Sequence, residues 1–222
     1  MRFLLRLLVI VAVPVVLTMG VIRLVTLPWY PAWEYNKTNF PADPLGMERG
    51  ERLRMAQVCI RFLNVSRGSR LLDDLRFPDG TQAFNARETG HMDDVKKVYD
   101  QMTTLTLLIM LIAIGAGLTL QWRWNMAELW GTLSDGGLLT LGLLILLGIW
   151  MVVGFEAFFI AFHGIFFEGD SWLFLETDTL IRLFPLQFWY DAGLLIAAIV
   201  GVLALGLGIL GRNLQKRAGK AA

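Results

Sequence analysis

His91 and His163 are the only histidines in this 222-residue chain. Imidazole has the unperturbed pKa nearest neutrality, so it takes and returns a proton at little cost. In "NARETGHMDD" the residues Glu88, His91 and Asp94 stand three apart, which predicts a shared helix face. Val95 and Val98 lie near that face, so His91 is expected to point toward protein. Glu156 precedes His163 by seven residues, roughly two helical turns, within an apolar run. An ionisable group in such a run is a functional candidate, with His163 or Arg23 as its expected partner. Zinc is one alternative, since two histidines plus Glu88, Asp94 or Asp178 would suffice. However, "ETGH" is a single E-x-x-H, and no H-E-x-x-H occurs. G-x-S-x-G, Walker and dinucleotide signatures are absent, and the lone Cys59 has no histidine near it in sequence. No metal or cofactor is therefore expected. The plainest alternative is that each histidine is only a polar anchor at a membrane interface.

The elements that must position these residues follow from composition. The chain is 55% hydrophobic and 18% charged, below the quarter or so usual in soluble domains. A net charge of +1 gives no reason to expect nucleic acid. A bilayer core about 30 Å thick needs roughly 20 apolar residues in a helix. Four runs qualify, at about 3–27, 103–120, 137–162 and 191–211. They predict an all-α membrane protein with four transmembrane helices in a single membrane domain, 1–222. The first run reads as an uncleaved anchor, because no small-x-small cleavage site follows it. Arg2 and Arg6 before the first run, and Arg212, Lys216, Arg217 and Lys220 after the last, place both termini in the cytoplasm. The linker 121–136 is then cytoplasmic. Segments 28–102 and 163–190 are extracytoplasmic, and both histidines come to that side. Segment 28–102 carries eleven basic and eleven acidic residues, but loops this long escape the positive-inside rule.

The outer segments are expected to be mostly helical. "LPWYPAWEYNKTNFPADP" reads as irregular chain at headgroup level. Leu53, Ala56, Ile60 and Leu63 mark an Arg-rich amphipathic helix, lying on the membrane or packed on the protein itself. "LLDDLRFPDGTQAFN" predicts a small β-hairpin around Pro-Asp-Gly. From Glu88 the chain reads as helix again, distorted near Gly90. Segment 163–190, dense in Phe and Trp, reads as interfacial or partly re-entrant.

"RETGHMDDVKKVY", "FHGIFFEGDSWLF" and "DTLIRLFPLQFWYD" resemble the lipoprotein intramolecular transacylase family of bacterial membrane proteins. The four-span layout with a large first outer loop is similar as well. The resemblance implies a cofactor-independent acyltransferase of the bacterial cytoplasmic membrane. It would act on a diacylated lipoprotein among membrane lipids, with no protein partner evident. The sn-2 acyl chain would move to the α-amino group of the N-terminal cysteine, giving N-acyl S-monoacylglyceryl cysteine, the lyso form. The family's two histidines carry over to His91 and His163 as catalytic residues. Glu88, Asp94, Arg87, Glu156 and Trp172 are assigned supporting roles from position alone, with Arg87 or an amide near Gly164 as the oxyanion donor. A non-enzymatic assembly or binding protein and a metal-dependent membrane hydrolase are the competing readings.

Overall fold

Apolar runs of this length must satisfy every backbone N–H and C=O internally, which selects helix. The computed structural model describes residues 1–65 and 70–220. Its helices are α1 (Arg2–Val25), α2 (Trp29–Tyr35), α3 (Arg49–Asn64), α4 (Arg70–Asp73), α5 (Ala86–Arg123), α6 (Met126–Val153), α7 (Phe155–Phe166), α8 (Thr179–Leu183) and α9 (Leu186–Lys220). Four of them, α1, α5, α6 and α9, are long and apolar enough to cross a membrane. The chain divides into two compact units: Met1–Ile22, Met102–Gly154 and Leu195–Ala222 form the first, Arg23–Gln101 and Phe155–Leu194 the second.

In the first unit, Leu107, Leu108, Leu111 and Ile112 are exposed, as lipid-facing positions must be and as a soluble surface would avoid. α6 begins eleven residues before the expected span, leaving a linker of only Trp124 and Asn125. Asn125 caps it by accepting the Glu128 N–H at 2.9 Å. Two charged residues in this added stretch, Glu128 and Asp135, are neutralised from other elements. Glu128 pairs with Arg2 and with Arg6, the latter at 3.0 Å; Asp135 pairs with Arg6 at 2.6 Å and Arg212 at 2.8 Å. This network ties the start of α1, the start of α6 and the end of α9 together. α6 and α9 approach through small residues, the usual contact surface between apolar helices. A Cβ on Gly137 would stand 2.7 Å from the Ala204 carbonyl oxygen and 3.0 Å from the Gly208 amide. Ser134 Oγ donates to the Gly208 carbonyl at 2.8 Å across the same contact. The apolar run expected as one span over 137–162 is divided at Gly154, whose φ of −154° and ψ of 68° end α6.

In the second unit, the first part of the Pro-rich aromatic stretch forms α2, and residues 36–44 after it are the irregular chain expected. Pro28 and Pro31 fall at the cap and in the first turn, where a missing N–H costs nothing. The side chains of α2 reach α8 and α9: Tyr35 Oη donates to the Leu183 carbonyl at 2.7 Å and Tyr30 Oη to that of Phe188 at 2.9 Å. Of the two sequence readings for α3, the self-packed one describes it, since Met55, Ala56, Cys59 and Phe62 are fully buried. Arg52, expected off the apolar line, is buried as well. It donates to the Arg182 and Pro41 carbonyls and lies 5.3 Å from the Tyr35 ring. Arg182 in turn grips Asp43 through two bonds of 2.8 and 2.9 Å. Around Pro-Asp-Gly the chain makes one antiparallel bridge, Arg76 to Gln82, and no strand occurs among the described residues. Gly80, with φ of +86°, makes that turn possible.

α5 starts at a reciprocal cap. Asn85 Oδ1 accepts the Glu88 N–H at 3.1 Å while Glu88 Oε2 accepts the Asn85 N–H at 2.8 Å. Glu88 Oε1 also accepts the Leu180 N–H of α8 at 2.6 Å. This strong start carries the helix through Gly90 without the expected distortion.

Two stability outcomes follow. Gly137→Ala forces a methyl against backbone and should cost about 1–3 kcal/mol, measured as thermal unfolding in detergent beside the harmless control Gly142→Ala. Glu88→Ala strands two N–H groups and should cost about 2–4 kcal/mol. Glu88→Gln should recover little of this, because its amide has one acceptor oxygen for two donors.

Candidate active site

His91 lies in the second turn of α5, ahead of the apolar part of that helix, and His163 lies near the end of α7. Within the second unit their rings stack, with centroids 6.3 Å apart and an interplanar angle of 24°. A single small group can therefore touch both. Aromatic rings enclose the pair. Phe167 and Phe174 stand 4.9 and 5.3 Å from His91, while Phe159 and Trp172 stand 4.1 and 4.7 Å from His163. Phe155, Phe159 and His163 recur every fourth residue along α7, and Phe167 continues the spacing one residue past its end, so the histidine is a rung of an aromatic ladder. That period was readable in the sequence, although the sequence reading did not use it.

Burial disfavours the charged form of both rings. His163 Nδ1 lies 2.8 Å from the Phe159 carbonyl oxygen, which can only accept. Nδ1 therefore carries the proton, and the lone pair resides on Nε2. Burial lowers the His163 pKa, partly opposed by that hydrogen bond. His91 is 7% exposed, and its Nδ1 is buried without a hydrogen-bond partner among the described residues. Burial, reinforced by His163, brings its pKa down to about 4, against a smaller opposing pull from Asp94.

Of the supporting residues named from sequence, Trp172 is the one whose ring lies against His163. Glu88 is buried beside His91 in the chain, but both of its oxygens serve backbone amides. Asp94 is exposed: each three-residue step turns a helical position back by about 60°, so two steps carry it off the face. Arg87 donates from Nη1 to the Leu173 carbonyl at 3.2 Å, which tethers the loop after Trp172. Asp178 accepts from the Leu175 amide and from Asn85 Nδ2. Glu156 is exposed in the first turn of α7. Arg23 lies over the Tyr99 ring at 5.2 Å. Gly164 is inside α7, where its amide belongs to the helical ladder. Of the seven named residues, His91, His163 and Trp172 are the ones brought together by their rings.

A family model described as lipoprotein intramolecular transacylase Lit matches residues 6–189. An uncharacterised protein of Aquifex aeolicus (strain VF5) is 35% identical over 190 residues, covering 84% of this chain and 85% of that one. The solved structure of the membrane integral lipoprotein intramolecular transacylase Lit from Bacillus cereus superposes with a TM-score of 0.78. It is 26% identical and covers 100% of this chain and 97% of that one. A variant of the same protein with one histidine replaced by alanine matches at TM-score 0.71 and 25% identity, over 98% of this chain and 94% of that one. With a matching model spanning most of its length and a solved relative matching from end to end, the chain belongs to the lipoprotein intramolecular transacylase family and is an integral membrane acyltransferase.

Proposed function

We propose that the protein moves the sn-2 acyl chain of a diacylated lipoprotein onto the α-amino group of the same molecule's N-terminal cysteine, with His163 as the proton-transfer base and His91 as its partner. The observation that carries this reading is the stacked imidazole pair, with His163 Nε2 left free by the bond from Nδ1 to Phe159. The substrate brings both reactants, an amine and an ester, so the protein needs no nucleophile of its own. The amine, once neutral, attacks the ester carbonyl, and His163 Nε2 removes the proton released as the C–N bond forms. The tetrahedral centre then collapses, the C–O bond breaks, and the same proton passes to the glyceryl oxygen. No proton is gained or lost overall. His91 orients the reacting groups. The surrounding rings favour aminolysis over hydrolysis by limiting water, and holding amine and ester together supplies much of the rate.

The same reading places both termini in the cytoplasm and segments 28–102 and 163–190 outside it. Its support is the basic residues at both chain ends, joined here through Glu128 and Asp135 at one end of the first unit.

Two outcomes test the proposal. In cells making diacylated lipoproteins, His163→Ala and His91→Ala should each reduce lyso-form lipopeptide by about a hundredfold or more, read by mass spectrometry of N-terminal peptides. Full product from either variant, present in the membrane at wild-type level, refutes the mechanism. The second outcome concerns pH. Both imidazole pKa values are lowered, so the rings stay neutral as pH falls through 6.5 and only the substrate ammonium, with a pKa of roughly 8, gains its proton. The logarithm of the rate should therefore fall with a slope of one as pH falls through 6.5. A slope of two beginning near 6.5 would mean that an unperturbed histidine titrates as well, contrary to the burial described.

A further inference from the structure

The transacylase reading leaves one requirement unassigned, a donor for the oxyanion that forms when the amine adds to the ester carbonyl. Of the two groups expected from sequence, Arg87 is exposed and gives one of its five N–H groups to the Leu173 carbonyl, and the Gly164 amide belongs to its own helix. Two buried ring nitrogens at the site have no partner among the described residues, His91 Nδ1 and Trp172 Nε1, and the indole is the one that donates in every tautomer. An indole N–H can only donate, so protonation at the site does not alter it. A buried donor without an acceptor is unfavourable, and at a catalytic site a bound molecule can supply that acceptor.

The indole is also held in place. Its ring lies 4.7 Å from His163, tilted by 30°. The next residue is tied to α5 by Arg87, and the Asp170 carbonyl accepts the Leu173 N–H at 3.0 Å within the loop. Preorganisation of this kind is what an oxyanion donor requires, since a donor that must first reorient loses much of its effect.

We propose that Trp172 Nε1–H is the oxyanion donor of the acyl transfer. It binds the carbonyl oxygen of the migrating acyl group and strengthens that bond as negative charge develops. During addition the nitrogen pair forms the C–N bond and the carbonyl π pair moves onto oxygen, while His163 takes the amine proton. During collapse the carbonyl re-forms, the glyceryl C–O bond breaks, and the proton goes to the glyceryl oxygen. Trp172 keeps its own proton throughout.

The test rests on the transacylase reading but fails separately from it. In an assay of purified protein with a synthetic diacylated lipopeptide in mixed micelles, wild-type turnover must first yield lyso product; its absence counts against the reaction itself. Trp172→Phe retains an aromatic ring and deletes the donor. Its kcat should fall about a hundredfold with KM little changed. Trp172→His, which restores an N–H donor, should regain part of kcat but not the bulk of the indole. Wild-type kcat in Trp172→Phe overturns the proposal. So does an equal loss in both variants with unchanged thermal unfolding, because ring shape alone would then matter. If Trp172→Phe does not fold, 3-benzothienylalanine placed at position 172 keeps the bicyclic outline and removes only the N–H. Full activity with that residue overturns the proposal, and a loss comparable to the expected one supports it.

Discussion

Three polar tethers between the start of α5 and the segment from Leu173 to Leu180 hold the histidine site together. Asn85 reaches Asp178, Arg87 reaches the Leu173 carbonyl, and Glu88 accepts the Leu180 N–H. Apolar packing among phenylalanines is strong but has little directional preference. It would bring α5 close to this segment without fixing their register. Hydrogen bonds to defined atoms do fix it, and an active site needs that precision. α8 is gripped from the other side by Tyr35 on Leu183, and through Arg52 and Asp43 on Arg182. The residues around the histidines that looked like chemistry in sequence are in large part the fastenings of this frame.

The frame sets two neutral imidazoles among aromatic rings. Both are disfavoured as cations by burial, and a charge on His163 would further disfavour one on His91. The site can pass one proton and does not store two. That matches a reaction in which one proton leaves nitrogen and one arrives at oxygen. Cys59, the only thiol, is fully buried, and burial raises its pKa far above neutrality, with the Glu88 carboxylate adding to the effect. It behaves as a small core side chain rather than as a nucleophile.

In the first unit the governing constraint is the handling of charge among apolar helices. Glu128 and Asp135 lie in the stretch 121–136 that reads as a linker in sequence. Their partners come from α1 and α9, more than seventy residues away in either direction. The glycine contacts between α6 and α9 depend likewise on which helix lies opposite.

Apolar length determined by itself that the chain carries four membrane-crossing helices, because a bilayer admits few alternatives to an internally bonded helix. The rarity of histidine, with the motifs around both residues, singled out His91 and His163 without any coordinates. What remained open was direction and partnership. Sequence placed Glu88 near His91, but only the tertiary structure turned its carboxylate toward two amides. Sequence offered Arg87 as an oxyanion donor, and the structure occupied it with a carbonyl. It also brought Trp172, nine residues beyond His163, against that ring with its N–H unmatched. Local periodicity specifies which face a side chain occupies. Which atom it meets is decided by elements that approach from distant parts of the chain, and hydrogen bonds depend on that atom.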